Sequence, residues 1–310
     1  MKAAQITEYG DASVIKVNEV QTPEASEGQV LVEVHASSIN PFDAKIMAGY
    51  MKDMIPLKLP ATLGGDIAGV VTELGTGVSN VAVGDKVWGQ ANVVAGNSGA
   101  FAEFAATKAN QVGVMPKDLD FTKAAALPLV GVSALQALTD HINLTAGQKL
   151  VVLGGAGGIG TIAIQIAKHI GAHVTTTASG DGIALAKQLG ADEVIDYTAQ
   201  DITTLVHDAD AVFDTVGKDF DEALHLLKKG GVAVTMAAAP NQALADELGV
   251  TAIGQQTKVT TDALNKLCEL VEAGAVTAQV DKLFALDDIA EAFRTKETGA
   301  VKGKIVITVA

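Results

Sequence analysis

Hydrophobic and polar positions follow two textures along the chain. Up to about residue 118 the apolar runs are short and broken by glycine. Residues 2–35 contain several such runs, the clearest being Val30-Leu31-Val32-Glu33-Val34-His35 after the turn at Glu27-Gly28. A second opens at Gly64-Gly65-Asp66 and runs to Val71, glycines at 75, 77, 84 and 89 mark turns, and Phe101 to Phe104 continues the pattern. Short β-branched runs between turn signals predict strands. From Phe121 onward, alanine-rich segments with helical spacing alternate with apolar runs. Lys149–Leu153, Val174–Thr177, Glu193–Ile195, Asp210–Asp214 and Val232–Val234 predict strands, with helices at Gly182–Leu189 and Asp219–Leu227 between them. Such alternation implies parallel strands joined by crossover helices. The last fifty residues predict a helix over Thr261–Ala273, capped by Thr260 or Thr261, with Leu264, Leu267, Cys268 and Val271 on its apolar face. A short helix at Asp287–Phe293 and a strand at Lys304–Val309 follow.

The strand at Lys149–Leu153 leads into Gly154-Gly155-Ala156-Gly157-Gly158-Ile159-Gly160. Ile159, Ile162, Ala163, Ile166, Ala167 and Ile170 then recur at helical spacing. Gly155, Gly157 and Gly160 fit the dinucleotide fingerprint G-x-G-x-x-G in the strand–turn–helix context that confirms it. In that motif one glycine makes the turn, the second lets a pyrophosphate approach the backbone, and the third lets helix and strand pack closely. Free N–H groups at the helix start meet the anion. Gly155, Ala156, Gly157, Gly158 and Ile159 are therefore the expected cofactor contacts, in a doubly wound Rossmann domain. The acidic residue that selects NAD lies about 20 positions after the glycines. Here Thr175 to Ala178 hold no acid and Ser179 follows. Ser179 is thus a candidate partner for a 2′-phosphate, and NADPH is expected over NADH. No cation accompanies it: the run is Gly180-Asp181-Gly182, and Lys187 is the nearest.

Composition narrows the function classes. With 310 residues, 48% hydrophobic and 19% charged, the chain suits about two globular domains. A net charge of −14 argues against a general nucleic-acid or anionic-membrane surface. The single cysteine, Cys268, rules out an intrachain disulfide and suits a reducing compartment; Cys268 reads as a buried core thiol, because nothing nearby lowers its pKa. Glu8 and Asp11 interrupt any signal-like apolar start, and the most apolar stretch, Ala124–Leu138, is too short and interrupted to span a bilayer. A cytoplasmic protein is expected. His35, alone on its strand, reads as structural, since a metal needs several ligands. Phe42–Met54 reads as partly helical. Met47, Met51 and Met54 share a face there with Tyr50 nearby: a core stripe, or a flexible apolar lining for a planar substrate.

A set of runs in fixed order carries a family resemblance. They are Ser38-Ile39-Asn40-Pro41-Phe42-Asp43, Gly64-Gly65-Asp66-Ile67-Ala68-Gly69, Val83-Gly84-Asp85-Lys86-Val87, Gly99-Ala100-Phe101-Ala102-Glu103 and Leu127 to Ala134. The glycine turn, Leu189-Gly190-Ala191-Asp192, Phe213-Asp214-Thr215-Val216-Gly217 and the tail Lys302-Gly303-Lys304 complete the set. Over nearly its whole length the chain resembles the zinc-free quinone oxidoreductases of the medium-chain dehydrogenase/reductase superfamily. The resemblance implies a GroES-like β-rich catalytic domain at 1–118, a Rossmann NADP-binding domain at 119–258, and a returning segment at 259–310 that completes the first. It implies an NADPH-dependent reductase of quinones or α,β-unsaturated carbonyls.

The resemblance also points to residues. Asn40 is the expected donor to the substrate oxygen, with Lys45 a second candidate and Tyr50 lining the site or relaying a proton. Tyr197 is expected on the phosphate side. Val216 and Ala238, at strand ends, and Val130 and Lys302, in the matched runs, are expected near the cofactor. Zinc relatives hold their metal through a cysteine and a His-Glu pair. Here Gly65-Asp66 stands in that place and no cysteine precedes Cys268, so no zinc is expected and Asp66 reads as a carboxylate tying down loop backbone. A homodimer is expected through the uncharged edge segment Gly249–Gln256. The alternative function is a non-catalytic NADPH-binding redox sensor or structural protein, since a glycine turn does not distinguish binding from turnover.

Overall fold

The computed structural model describes residues 1–309. The chain forms two units. The first contains residues 1–129, 259–272 and 278–310; the second contains 130–258 and 273–277.

In the first unit, β1 (Lys2–Ile6) pairs antiparallel with β2 (Ile15–Glu19) and with β4 (Ala61–Thr62). The larger sheet is built on β3 (Gln29–Ser38). β3 pairs antiparallel with β5 (Asp66–Leu74), which leads to β6 (Lys86–Gln90) and β8 (Val112–Val114); β7 (Phe104–Lys108) also pairs with β3. On the other side of β3 lie β16 (Lys304–Thr308) and the edge strand β15 (Val280–Ala285). Strand period two explains β3: Val30, Val32 and Val34 point into one core with Ile67, Val71 and Val87. A second core joins Ile39, Met47, Phe101, Phe293, Ile305 and Ile307, with Phe101 and Phe293 edge to face at 5.9 Å. Between β3 and β4 sits α1 (Pro41–Met47). It stops there because Gly49 turns left-handed (φ +77°) against the Tyr9 side chain. The predicted methionine stripe therefore does not form: Met47 is core, Met51 half-buried and Met54 74% exposed.

The first unit extends past residue 118 because α2 (Phe121–Ala125) belongs to it. The Phe121 ring stacks on His35 at 4.3 Å, with the Lys86 ammonium 5.5 Å from the ring centre. That contact gives His35 a structural role. In α8 (Thr261–Glu272) Cys268 is half-buried and not fully core. Burial, with Glu272 and Glu269 beside it, pushes its thiol up to about 11, so it is a poor nucleophile at neutral pH.

The second unit is a six-stranded parallel sheet, in the order β11 (Glu193–Asp196), β10 (His173–Ala178), β9 (Lys149–Leu153), β12 (Ala209–Asp214), β13 (Leu227–Thr235) and β14 (Thr251–Gly254). Strand order reverses direction at β9, which makes the crevice at the carboxyl ends of β9 and β12 the topological switch point. The connections are α4 (Gly158–Ile170), α5 (Asp181–Gln188), α6 (Phe220–Leu224) and α7 (Gln242–Leu248), and α3 (Pro128–Gln136) precedes β9. The helix predicted over Asp219–Leu227 is shorter than expected, because Leu227 already belongs to β13, where it pairs with Ala209. Residues 273–277 stay with this unit because Gln165 of α4 brackets Thr277: its amide donates to the Thr277 carbonyl (3.0 Å) and accepts from the Thr277 N–H (2.9 Å).

Candidate active site

The glycine turn after β9 shows which glycines serve the protein and which serve a ligand. The left-handed bend falls on Gly154 (φ +85°), one residue before the expected Gly155. A Cβ on Gly155 would lie 2.1 Å from Thr176 Oγ1, and one on Gly160 would lie 2.2 Å from the Gly154 carbonyl oxygen. Those two are glycine for packing. A Cβ on Gly157 would meet only the Gly154 oxygen, at 3.3 Å. That contact is tight but not a clash, and the bare position fits the close approach of a pyrophosphate. The next N–H groups open α4 and have no partner within the helix, so the turn fits a dinucleotide phosphate.

At the carboxyl end of β10, Ser179 Oγ donates to the Tyr197 hydroxyl at 2.8 Å. The two residues expected at a 2′-phosphate are thus side by side, with Tyr197 61% exposed. Lys187 is in the last turn of α5. The ends of β12 and β13 are tied by Asp214, which sequence reasoning gave no role. Its buried carboxylate accepts from the N–H groups of Val216 (2.9 Å) and Gly217 (3.0 Å) and from Thr235 Oγ1 (2.6 Å). Thr235 Oγ1 in turn accepts from the N–H groups of Ala237 and Ala238 at 3.2 Å each. One carboxylate therefore shapes both turns that carry the expected cofactor contacts Val216 and Ala238. Val216 is exposed, Ala238 half-buried and Val130 buried in the second unit; Lys302 is half-buried in the first.

The first unit holds a buried polar cluster. Asn40 takes the position before α1, where a side-chain oxygen ordinarily accepts from the first turn. Its Oδ1 accepts from Lys304 Nζ, and its Nδ2 donates to Asp66 Oδ2 at 2.8 Å. Asp66 Oδ2 also accepts from Ser38 Oγ (3.0 Å) and lies 3.4 Å from Lys304 Nζ. Asp66 Oδ1 accepts from Gln90 Nε2 (3.2 Å) and the Leu129 N–H (3.0 Å). Asp66 therefore does tie down backbone, as expected, but it is above all the counter-ion of a buried lysine. Asp43 accepts the Asn40 N–H at 2.7 Å. Burial pushes the Asp43 carboxyl up to about 7, with Asp66 adding to the rise and the Asn40 N–H and Lys304 opposing it. Burial also lowers the Lys304 ammonium, against the pull of Asp66 and Asp43.

Of the three expected catalytic residues, only Asn40 is in this cluster. Lys45 is exposed on α1 and Tyr50 is 80% exposed beyond it. Sequence reasoning missed Lys304, which opens a strand as surface lysines commonly do. Its sole signal was a place in the matched tail.

The donors around Asp66 do not fit a zinc ion. They offer no thiolate or imidazole, and both Asp66 oxygens are taken by protein donors. Among the described residues no three His, Cys, Asp or Glu side chains are grouped to hold a metal. No helix of the described residues is long and apolar enough to cross a membrane.

Comparison with known proteins agrees with this architecture. Residues 26–117 match the family described as "Alcohol dehydrogenase GroES-like domain", and residues 189–307 match "Zinc-binding dehydrogenase". The chain is 36% identical to the 2-methylene-furan-3-one reductase of Solanum lycopersicum, over 99% of this chain and 79% of that protein. It is equally similar, with the same coverage, to the chloroplastic NADPH-dependent alkenal/one oxidoreductase of Arabidopsis thaliana. The structure of the quinone oxidoreductase from Coxiella burnetii superposes with a TM-score of 0.92 at 34% identity, covering 100% of this chain and 99% of that one. With its GroES-like first unit, its Rossmann second unit and these relatives, the chain belongs to the medium-chain dehydrogenase/reductase superfamily, within its quinone oxidoreductase-like group.

Proposed function

We propose that the protein is a zinc-independent, NADPH-dependent reductase of α,β-unsaturated carbonyls and quinones. The observation that carries this reading is the dinucleotide turn at Gly157 in the second unit; the buried amide–ion-pair cluster at Asn40, in the first, offers the hydrogen-bond donor. The names of the relatives support the acceptor class: an alkenal/one oxidoreductase, a furanone reductase and a quinone oxidoreductase.

Bound NADPH supplies a hydride. The protein's own groups do the rest. Gly155, Ala156, Gly157, Gly158 and Ile159 would bind the pyrophosphate and Ser179 and Tyr197 the 2′-phosphate, with the turns held by Asp214 available to the nicotinamide. Val130 and Lys302 complete the cofactor contacts. Reduction of a conjugated carbonyl would place negative charge on its oxygen, and a positioned N–H would lower that barrier. Asn40 is that donor. A conjugated acceptor disperses the charge over its π-system, which suits a site without a Lewis acid. A proton from solvent completes the reduction. Tyr50 and Lys45, both exposed, are read as lining the approach. The protein acts as a homodimer through the free edge of β14.

The test is NADPH oxidation with a panel of enones, enals and quinones. Turnover on at least one class is expected. NADPH that binds but is never oxidised by any of them would overturn the reading in favour of a cofactor-binding sensor.

A further inference from the structure

The cluster around Asn40 contains a residue with no role in the reading so far. We propose that Lys304 is a positioning residue: paired with Asp66, it locks the Asn40 amide in the one orientation that leaves an N–H for the substrate oxygen. The inference rests on the proposed function and deepens it.

A carboxamide carries two acceptor sites on oxygen and two donor N–H groups on nitrogen. The Asn40 side chain lies between a cation and an anion: Oδ1 on Lys304 Nζ, Nδ2 on Asp66 Oδ2. Reversing it would set N–H groups against an ammonium and an oxygen against a carboxylate. Both contacts would be repulsive in a site where Asn40 is 2% exposed and Asp66 not exposed at all. The orientation is therefore fixed. In it one Nδ2 hydrogen serves Asp66, and the second serves an acceptor.

Lys304 is the part of this lock that cannot be replaced by a neutral neighbour. Asp66 is held by Ser38, Gln90 and the Leu129 N–H as well as by Asn40, so its position does not depend on the lysine. The Asn40 oxygen, in contrast, has Lys304 as its one side-chain partner among the described residues. A cation on the amide oxygen also draws density from the nitrogen and strengthens its N–H as a donor, as chained hydrogen bonds do in a low dielectric. The other charged groups near the lysine are Asp43, on α1, and Lys296, on α9 (Ile289–Glu297). The Asp43 carboxylate holds the Asn40 backbone N–H rather than its amide oxygen, so it does not substitute for Lys304 there.

The experiment is a double-mutant cycle. Lys304→Met alone would leave Asp66 as an unpaired buried charge and risk the fold. The neutral pair Asp66→Asn/Lys304→Met removes both charges together. It is combined with Asn40→Ala and read by kcat and KM for an enone, by the melting temperature and by the dissociation constant of NADPH. If Lys304 acts through Asn40, the neutral pair lowers kcat/KM about tenfold or more when Asn40 is present and less than about twofold in the Asn40→Ala background. NADPH affinity stays within about threefold, because the cluster holds no cofactor contact. A neutral pair as active as wild type, or one whose loss is the same in both backgrounds, overturns the inference. If the methionine pair fails to fold, Asp66→Asn/Lys304→Gln keeps hydrogen-bonding side chains at both positions and is judged by the same cycle. A wild-type protein silent on every acceptor overturns the proposed function, and this inference with it, and is recognised by intact NADPH binding without turnover.

Discussion

Two residues carry predictions of their own. Asp43 has a folded-state pKa near 7 against an ordinary value of 3.8. Its raised value means the folded protein binds the extra proton between those pH values. Stability from this group is complete below the unfolded pKa and is lost as pH rises through the folded one. Melting temperature is thus expected to fall from about pH 4 to pH 7 on account of Asp43, by an amount worth a few kcal/mol. In Asp43→Asn, which still accepts the Asn40 N–H, that part of the slope should vanish. A thermal-melt series across pH checks it, and an unchanged slope would contradict the burial argument. Gly157 makes the opposite kind of prediction. Because its Cβ position meets one atom, at 3.3 Å, Gly157→Ala should cost less stability than Gly155→Ala yet weaken NADPH binding by about tenfold or more. Fluorescence titration checks this. Gly155→Ala, driven into Thr176, should instead lose stability. At this scale the glycines were legible because each has a geometric duty. Lys304 and Asp214 were not, because a lysine at a strand start and an aspartate at a strand end have the same look whether solvated or buried.

At the scale of elements, the carboxyl ends of β10 and β11 carry the residues proposed for the cofactor's phosphate side. Ser179 and Tyr197 come from two neighbouring parallel strands and meet at 2.8 Å. Ser179→Ala/Tyr197→Phe should raise the NADPH dissociation constant by about thirtyfold and leave that of NADH nearly unchanged, since each of the two removed hydroxyls is worth roughly 1 kcal/mol. Equal losses for both cofactors would assign the pair to packing. Strands of the second unit were legible because buried parallel strands read as continuous apolar runs. Helix ends were less so. The stop of α1 depends on Gly49 meeting Tyr9, and the early end of α6 depends on β13 claiming Leu227. Both are tertiary constraints that spacing alone does not express. The domain edge moved for the same reason: α2 looks like the start of the alternating half, and its Phe121 is held by His35 of the first.

For the whole molecule, the sheet order makes β14 an edge of the six-stranded sheet. Thr251 and Gly254 are exposed there and Ile253 is half-buried, on a strand with no charge or proline to protect it. A two-fold partner closes such an edge. Light scattering at micromolar concentration should give twice the chain mass, and Ile253→Lys should shift it toward the monomer by setting two lysines face to face near the axis. A monomeric wild type would contradict the dimer. The overall plan was legible from the change of texture near residue 120 and from the returning tail. That β16 lies beside β3, which brings Lys304 to Asn40 and Asp66, needed the folded chain.

The proposed reaction moves a hydride from NADPH to a conjugated carbon. Its most direct test is isotopic: NADPH carrying deuterium at nicotinamide C4 is turned over with an α,β-unsaturated ketone in ordinary water, and the product is read by mass spectrometry and NMR. The account predicts one deuterium in the saturated ketone, at the β-carbon, from one of the two C4-labelled epimers, with hydrogen from solvent at the α-carbon. Product without deuterium from either epimer, or deuterium at the carbonyl carbon of an allylic alcohol, would contradict it.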